Sequence, residues 1–197
     1  TASQMIEVEQ QFSITQEQAD ALVGKANDVK VLPLEEVYFD FPDFRYLKQD
    51  IWFRKRNNRF ELKRRPAGQQ HSQGLEQYEE YYSEAEIKNV LSIDPTTDLQ
   101  EFISANLQPS IVLNTTRKSF EIDDCHVDID STEFGYIVCE IERQASESDS
   151  IEEMRASILA LALTLGLSTN PARNKAKEYI VRRYPELVIE LQKNGVL

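Results

Sequence analysis

Pairs of charged residues stand one position apart in several stretches of the chain: Glu7 with Glu9, Arg54 with Arg56, Glu61 with Lys63, Asp128 with Asp130, and Glu140 with Glu142. Side chains two positions apart on a β-strand point to the same face, so each pair is aimed at one place. The alternate positions are apolar in most of these stretches: Ile6 and Val8, Phe60 and Leu62, Val127 and Ile129, Cys139 and Ile141. One face then meets a core while the other carries only charge. A solvated sheet face would give the same alternation, and no single pair distinguishes the two. The set as a whole is unusual, because three strands carry carboxylate pairs and one carries an arginine pair. Like charges at that spacing repel unless something between them compensates. A divalent cation would satisfy the carboxylates, and a polyphosphate would satisfy the arginines. Hard oxygen ligands select Mg²⁺, Mn²⁺ or Ca²⁺ over zinc. Arginine forks bind phosphate oxygens in pairs and a lysine adds a point charge. Such a set suits phosphoryl transfer, in which the protein positions reactants and neutralises developing charge. No P-loop, catalytic cysteine or nucleophilic serine motif competes with it. His71 reads as a loop residue and His126 as a structural strand residue.

Strands must carry these pairs, and period-two alternation dominates the chain. Strands are expected over Met5–Ser13, Val29–Asp40 with an interruption at Pro33, Ile51–Arg56, Arg59–Arg65 and Leu75–Tyr82. Three more are expected over Ile111–Ser119, Phe120–Ser131 and Tyr136–Arg143. Asn57-Asn58 tolerates the left-handed backbone of a tight hairpin turn, and residues 67–74 read as a flexible loop. Capping boxes at Thr15–Gln18, Ser83–Glu86 and Thr97–Gln100 open helices. Two further helices are expected, one after Ser150 ending near Gly166 and one from Asn170-Pro171 that Tyr184-Pro185 interrupts. Eight or so strands with helices at the ends suggest an antiparallel sheet that closes on itself and so removes its edges.

With 197 residues, 41% of them hydrophobic, the chain can bury one core and is short for two. A single domain over residues 5–197 is expected, with Thr1–Gln4 read as a remnant of expression. The net charge of −12 argues against nucleic-acid binding. Against that balance, seven basic residues crowd Arg54–Arg65, where a solvated hairpin is the plain alternative to a site. Cys125 and Cys139 sit in strand-like patterns and read as buried thiols. No apolar run reaches the eighteen or so residues of a membrane span, and no signal-peptide pattern opens the chain. A cytoplasmic protein without membrane contact is expected.

The chain resembles the CYTH superfamily of triphosphate tunnel metalloenzymes and within it is most similar to the animal thiamine triphosphatases. Ile6-Glu7-Val8-Glu9 is similar to the Glu-x-Glu-x-Lys signature. Val37-Tyr38-Phe39-Asp40, Trp52-Phe53-Arg54-Lys55-Arg56, Phe60-Glu61-Leu62-Lys63, Arg117 with Phe120, Val127-Asp128-Ile129-Asp130, Phe134-Gly135-Tyr136, Glu140-Ile141-Glu142 and Lys175 with Tyr179 follow in order. The resemblance implies an α+β fold, a closed eight-stranded antiparallel β-barrel whose charged interior is a tunnel, with helices packed outside. It implies that Glu7, Glu9, Asp128, Glu140 and Glu142 hold Mg²⁺, with Mn²⁺ an alternative, and that Arg54, Arg56, Lys63, Arg117 and Lys175 hold phosphates. Glu80, with Glu79 a competitor, is implied as a further tunnel carboxylate. Asp130 and Glu140 are implied contacts of substrate or water, and Tyr38 beside Lys63 as the pair that activates water or protonates the leaving group. Trp52 is implied as a platform for a thiazolium ring, a buried structural tryptophan being the alternative. One departure stands out: the signature lysine is replaced by Gln11, which keeps a donor and loses the charge. The expected activity is Mg²⁺-dependent removal of the terminal phosphate of thiamine triphosphate by a monomer. The alternatives are an inorganic tripolyphosphatase, adenylate cyclisation, or a polyphosphate or nucleotide binder without turnover.

Overall fold

The computed structural model describes residues 6–69, 75–145 and 148–197; His71 and Met5 lie outside them. Eight strands form a closed antiparallel barrel: β1 (Ile6–Ser13), β2 (Lys30–Asp40), β3 (Ile51–Arg56), β4 (Arg59–Arg64), β5 (Leu75–Tyr81), β6 (Gln108–Ile122), β7 (Cys125–Thr132) and β8 (Ile137–Ala145). Their order around the ring is β1-β5-β4-β3-β2-β6-β7-β8, and β8 pairs back onto β1. Closure leaves every strand with two neighbours. In β1 both faces are buried, Glu7, Glu9 and Gln11 on one and Val8 and Phe12 on the other. A strand buried on both faces yet charged on one is the signature of a barrel with a polar interior.

Helices cover the apolar outer faces. α1 (Gln16–Lys25) and α4 (Ile151–Thr164) pack on β1, β7 and β8 in a cluster holding Val8, Phe12, Val127, Ile141, Met154 and Ile158. α2 (Glu84–Val90) and α3 (Leu99–Asn106) cover Phe53 and Leu62 with Ile87, Leu99 and Ile103. α5 (Lys175–Arg183) and α6 (Val188–Lys193) instead bring Ala176, Ile180 and Leu191 into a cluster with Tyr38, Trp52 and Tyr78, rings that line the barrel interior. Ile180 is fully buried there, and burying such a side chain is worth about 1.5–3 kcal/mol. α5 is thus tied to the barrel where Lys175, at its start, meets the interior cavity.

Several boundaries differ from the sequence expectation. Pro33 does not interrupt β2. It pairs with Thr116 of β6, while β3 flanks β2 only over Glu36–Tyr38. Its carbonyl accepts from Asn57 Nδ2 at 3.0 Å on the open side, where a residue lacking an amide proton leaves no ladder bond unmade. The expected break between Ser119 and Phe120 is absent, and β6 runs to Ile122 before a turn at Asp123, whose φ is 53°. Aspartate tolerates that left-handed backbone. The Asn57-Asn58 turn has φ of 44° and 68°, the conformation a two-residue hairpin needs. α3 is capped by Asp98 rather than Thr97, its carboxylate accepting from the Glu101 amide at 2.9 Å. α5 starts at Lys175 under an Asn174 cap, because Pro171 is held in an isolated bridge to Phe12.

Candidate active site

The barrel encloses a cavity lined by Glu7, Glu9, Arg54, Lys63, Arg117 and Lys175, among others. β1 and β8 build its acidic side. Their register sets Glu9 opposite Glu142 and Gln11 opposite Glu140, so carboxylate oxygens of Glu7, Glu9, Glu140 and Glu142 fall within 4.8 Å of one another. Lys63 is the cation at this group. Its ammonium donates to Glu7, lies 3.0 Å from Glu9 and 3.3 Å from Glu80. Burial pushes the Glu7 and Glu140 carboxyls well above the usual range, and Lys63 only partly opposes it. Burial likewise raises Glu142. Glu9 is also buried, but Lys63 beside it and a hydrogen bond from Glu7 hold it well below that range.

These residues fit a hard divalent cation. The donor set is all oxygen and largely buried, and it holds more negative charge than its one lysine balances. Glu7, Glu9, Glu140 and Glu142 could hold Mg²⁺ or Mn²⁺. Asp128 belongs to a neighbouring group with His126 and Glu142. It receives Arg117 at 2.7 Å, and its Oδ1 lies 2.9 Å from His126 Nε2. That hydrogen bond pushes the imidazole up to about 9. Gln11 donates to Glu140 Oε2 at 2.6 Å, so its amide is spent on a carboxylate.

The opposite side comes from β2, β3, β6, β7 and the start of α5. Arg54 donates to Glu61 at 2.8 Å and to the Tyr38 hydroxyl at 3.0 Å. Arg56 reaches Glu36 at 2.8 Å, and Lys175 reaches Glu36 at 2.5 Å and Asp130 at 3.0 Å. Arg117 grips Asp130 with two bonds of 2.7 and 2.8 Å. Despite their burial, Glu36 and Asp130 are held well below the usual carboxylate range, the first by Arg56, Lys175 and Arg54 and the second by Arg117 and Lys175. Tyr38 is buried, which raises its phenol, and its oxygen accepts from Arg54. It therefore stays protonated with its hydrogen free to donate into the cavity. Its hydrogen bond comes from Arg54, while Lys63 is engaged by glutamates. Glu80 lines the cavity and accepts from Tyr82 at 2.6 Å, whereas Glu79 pairs with Arg64.

Trp52 lies on the cavity wall and is 5% exposed. Its Nε1 donates to Asp50 at 2.7 Å, and it meets Tyr38 edge-on at 6.1 Å. Glu36 was not among the expected site residues. Its one signal is its place two residues before Tyr38 on the same face, which the adjacent Glu35 obscures. The buried Glu76–Lys177 pair was also missed, since nothing in the local sequence relates a strand glutamate to a helix lysine a hundred residues on.

A family model described as CYTH domain matches residues 5–174. No curated protein matches the chain. Among solved structures, a Pyrococcus horikoshii protein is 19% identical with a TM-score of 0.62, covering 87% of this chain and 98% of its own. A putative adenylate cyclase from Bacillus halodurans is 20% identical with a TM-score of 0.56, covering 90% and 97%. A putative adenylyl cyclase from Hippeastrum, described as having a dominant triphosphatase activity, is 16% identical with a TM-score of 0.55, covering 90% and 95%. At these identities the likeness concerns the fold.

Proposed function

We propose that this chain, which belongs to the CYTH domain family, is a metal-dependent hydrolase that cuts the terminal phosphoanhydride bond of a triphosphate. The observation that carries the reading is one cavity with four clustered carboxylates on one side and Arg54, Arg56, Arg117 and Lys175 on the other. The triphosphatase activity attributed to the Hippeastrum protein of the same fold supports it.

A divalent cation held by Glu7, Glu9, Glu140 and Glu142 would supply Lewis-acid neutralisation of phosphate oxygens. The chain's own residues supply the rest. The arginine forks and Lys175 bind and align the phosphates, so that charge growing on the equatorial and leaving oxygens meets fixed donors. Water forms the new P–O bond and passes a proton to an oxygen of the released phosphate, the bridging P–O bond breaks, and the electron pair leaves on the diphosphate. Tyr38, protonated and oriented by Arg54, is placed to donate its hydrogen to an anionic oxygen of the substrate. Lys63 holds Glu7 and Glu9 in position.

Inorganic triphosphate is the substrate the cavity favours, because its charged walls recognise phosphate and Trp52 is already buried and bonded. Thiamine triphosphate is the second reading, supported by the place of Trp52 on the cavity wall. The test is phosphate release from both substrates with Mg²⁺ and with chelator. Mg²⁺-dependent release from either supports the hydrolase. Ligand-induced heat stabilisation with no release from either would replace it by a binder.

A further inference from the structure

Tyr82 lines the cavity together with the phosphate-binding residues and is 53% exposed. It stands just past the end of β5, where a spacing of two puts Tyr78, Glu80 and Tyr82 on one face, and all three line the cavity. The other aromatic lining residues, Tyr38, Trp52 and Tyr78, are no more than 5% exposed and pack with Ala176 of α5. The cavity thus has buried rings where α5 docks and an exposed ring at its mouth. That exposed ring is held in place, since its hydroxyl donates to Glu80 at 2.6 Å and Glu80 lies 3.3 Å from the Lys63 ammonium. Among the described residues no aromatic ring or cation packs on it.

A triphosphate held by the arginine forks and Lys175 has to place any organic part where the cavity meets solvent, because the rings beside α5 are already committed to the core. At the mouth the surface on offer is a tyrosine ring fixed before the ligand arrives, and stacking on a fixed ring spends little side-chain entropy. We propose that Tyr82 is a specificity-determining residue on which the planar aromatic ring of an organic triphosphate, a nucleobase or a thiazolium, stacks at the mouth of the cavity. This rests on the triphosphatase reading above and names the class of organic triphosphate that the site accepts, one whose ring reaches Tyr82. Trp52, buried and bonded to Asp50, has no part in that contact.

The test measures kcat and KM with Mg²⁺ for inorganic triphosphate, ATP and thiamine triphosphate, and Kd for the same three by calorimetry with chelator, where metal-dependent turnover is stopped. The variants are Tyr82→Leu, which removes the ring, and Tyr82→Phe, which keeps the ring and loses the bond to Glu80. Relative to inorganic triphosphate, Tyr82→Leu is expected to raise KM and Kd about tenfold for an organic triphosphate, the loss of one stacked ring, with kcat little changed. Tyr82→Phe is expected to keep the wild-type ratio. ATP and thiamine triphosphate separate the two sources of the ring, and a loss for either supports the proposal. A role confined to holding Glu80 would appear in both variants and shift all three ligands alike. That result, an unchanged ratio in Tyr82→Leu, or a wild type that binds neither organic triphosphate overturns the proposal. If none of the three is cut, the hydrolase reading fails, and the Kd ratios alone still decide the role of Tyr82.

Discussion

On the β1–β8 side of the tunnel four carboxylates cluster, of which the ammonium of Lys63 pairs with Glu7 and Glu9, whereas across the cavity Glu36, Glu61 and Asp130 are matched by Arg54, Arg56, Arg117 and Lys175. Burial acts on both sides. On the first it wins at Glu7 and Glu140, which retain protons well above the usual range, while Lys63 holds Glu9 below it. On the second the cations win, and Glu36 and Asp130 stay ionised. The acidic side therefore lacks positive charge that a divalent cation can bring. The basic side is neutralised internally, and its carboxylates set the arginine forks in place before any phosphate arrives. Pre-orientation on one side and under-compensation on the other suit a site that takes a metal and a polyanion together.

The same chemical change should act oppositely on the two sides. Glu36→Gln removes the shared partner of Arg54, Arg56 and Lys175 and should destabilise the protein by about 3–5 kcal/mol, read by urea unfolding. Glu7→Gln should leave metal-free stability equal or higher, because it removes a carboxyl that burial already keeps protonated, yet cost about 10²–10³ in kcat and weaken Mg²⁺ binding in calorimetry. Equal destabilisation by the two would erase the contrast. Tyr38→Phe, which keeps the ring and removes the donated hydrogen, should lower kcat by up to about 10²-fold with KM little changed; unaltered turnover would remove Tyr38 from the chemistry.

Acidity should separate the sides next. Glu36 titrates lower in the folded chain than unfolded, so its contribution is complete above the unfolded value and is lost as pH falls through the folded one. Glu7 and Glu140 titrate higher when folded, so their contribution is complete below the unfolded glutamate range and is lost as pH rises through their folded values. In metal-free protein the heat stability should then decline from mildly acid towards alkaline pH, and the gain on adding Mg²⁺ should grow over the same span. A metal-induced gain independent of pH would place the cation elsewhere. The smallest effect is expected of Gln11→Lys. Its amine would meet Glu140 and Glu9, where Gln11 now donates, offsetting part of the charge deficit and weakening Mg²⁺ binding a few-fold.

Much of the fold was legible because alternation is a local property. Ile6-Glu7-Val8-Glu9 and Cys139-Glu140-Ile141-Glu142 each announce a strand with a charged and an apolar face, and so many such strands require closure to bury both. Boundaries were less legible where a local signal had a tertiary answer: Pro33 looked like a break until the open flank of β2 accommodated it, and Thr97 looked like a cap until Asp98 took the amide.

The sequence by itself determined which residues are charged and that they alternate with a core, so that the charge gathers on one face of each strand. Which charges meet was decided only by the tertiary structure. Glu36 receives three cations drawn from β3 and α5, and Lys177 reaches Glu76, Trp52 and Tyr78 from a distant helix. Those pairings depend on the register of eight strands around a ring and on where α5 docks. Pattern along the chain sets the face of each side chain, but only packing sets the distances through which charges act.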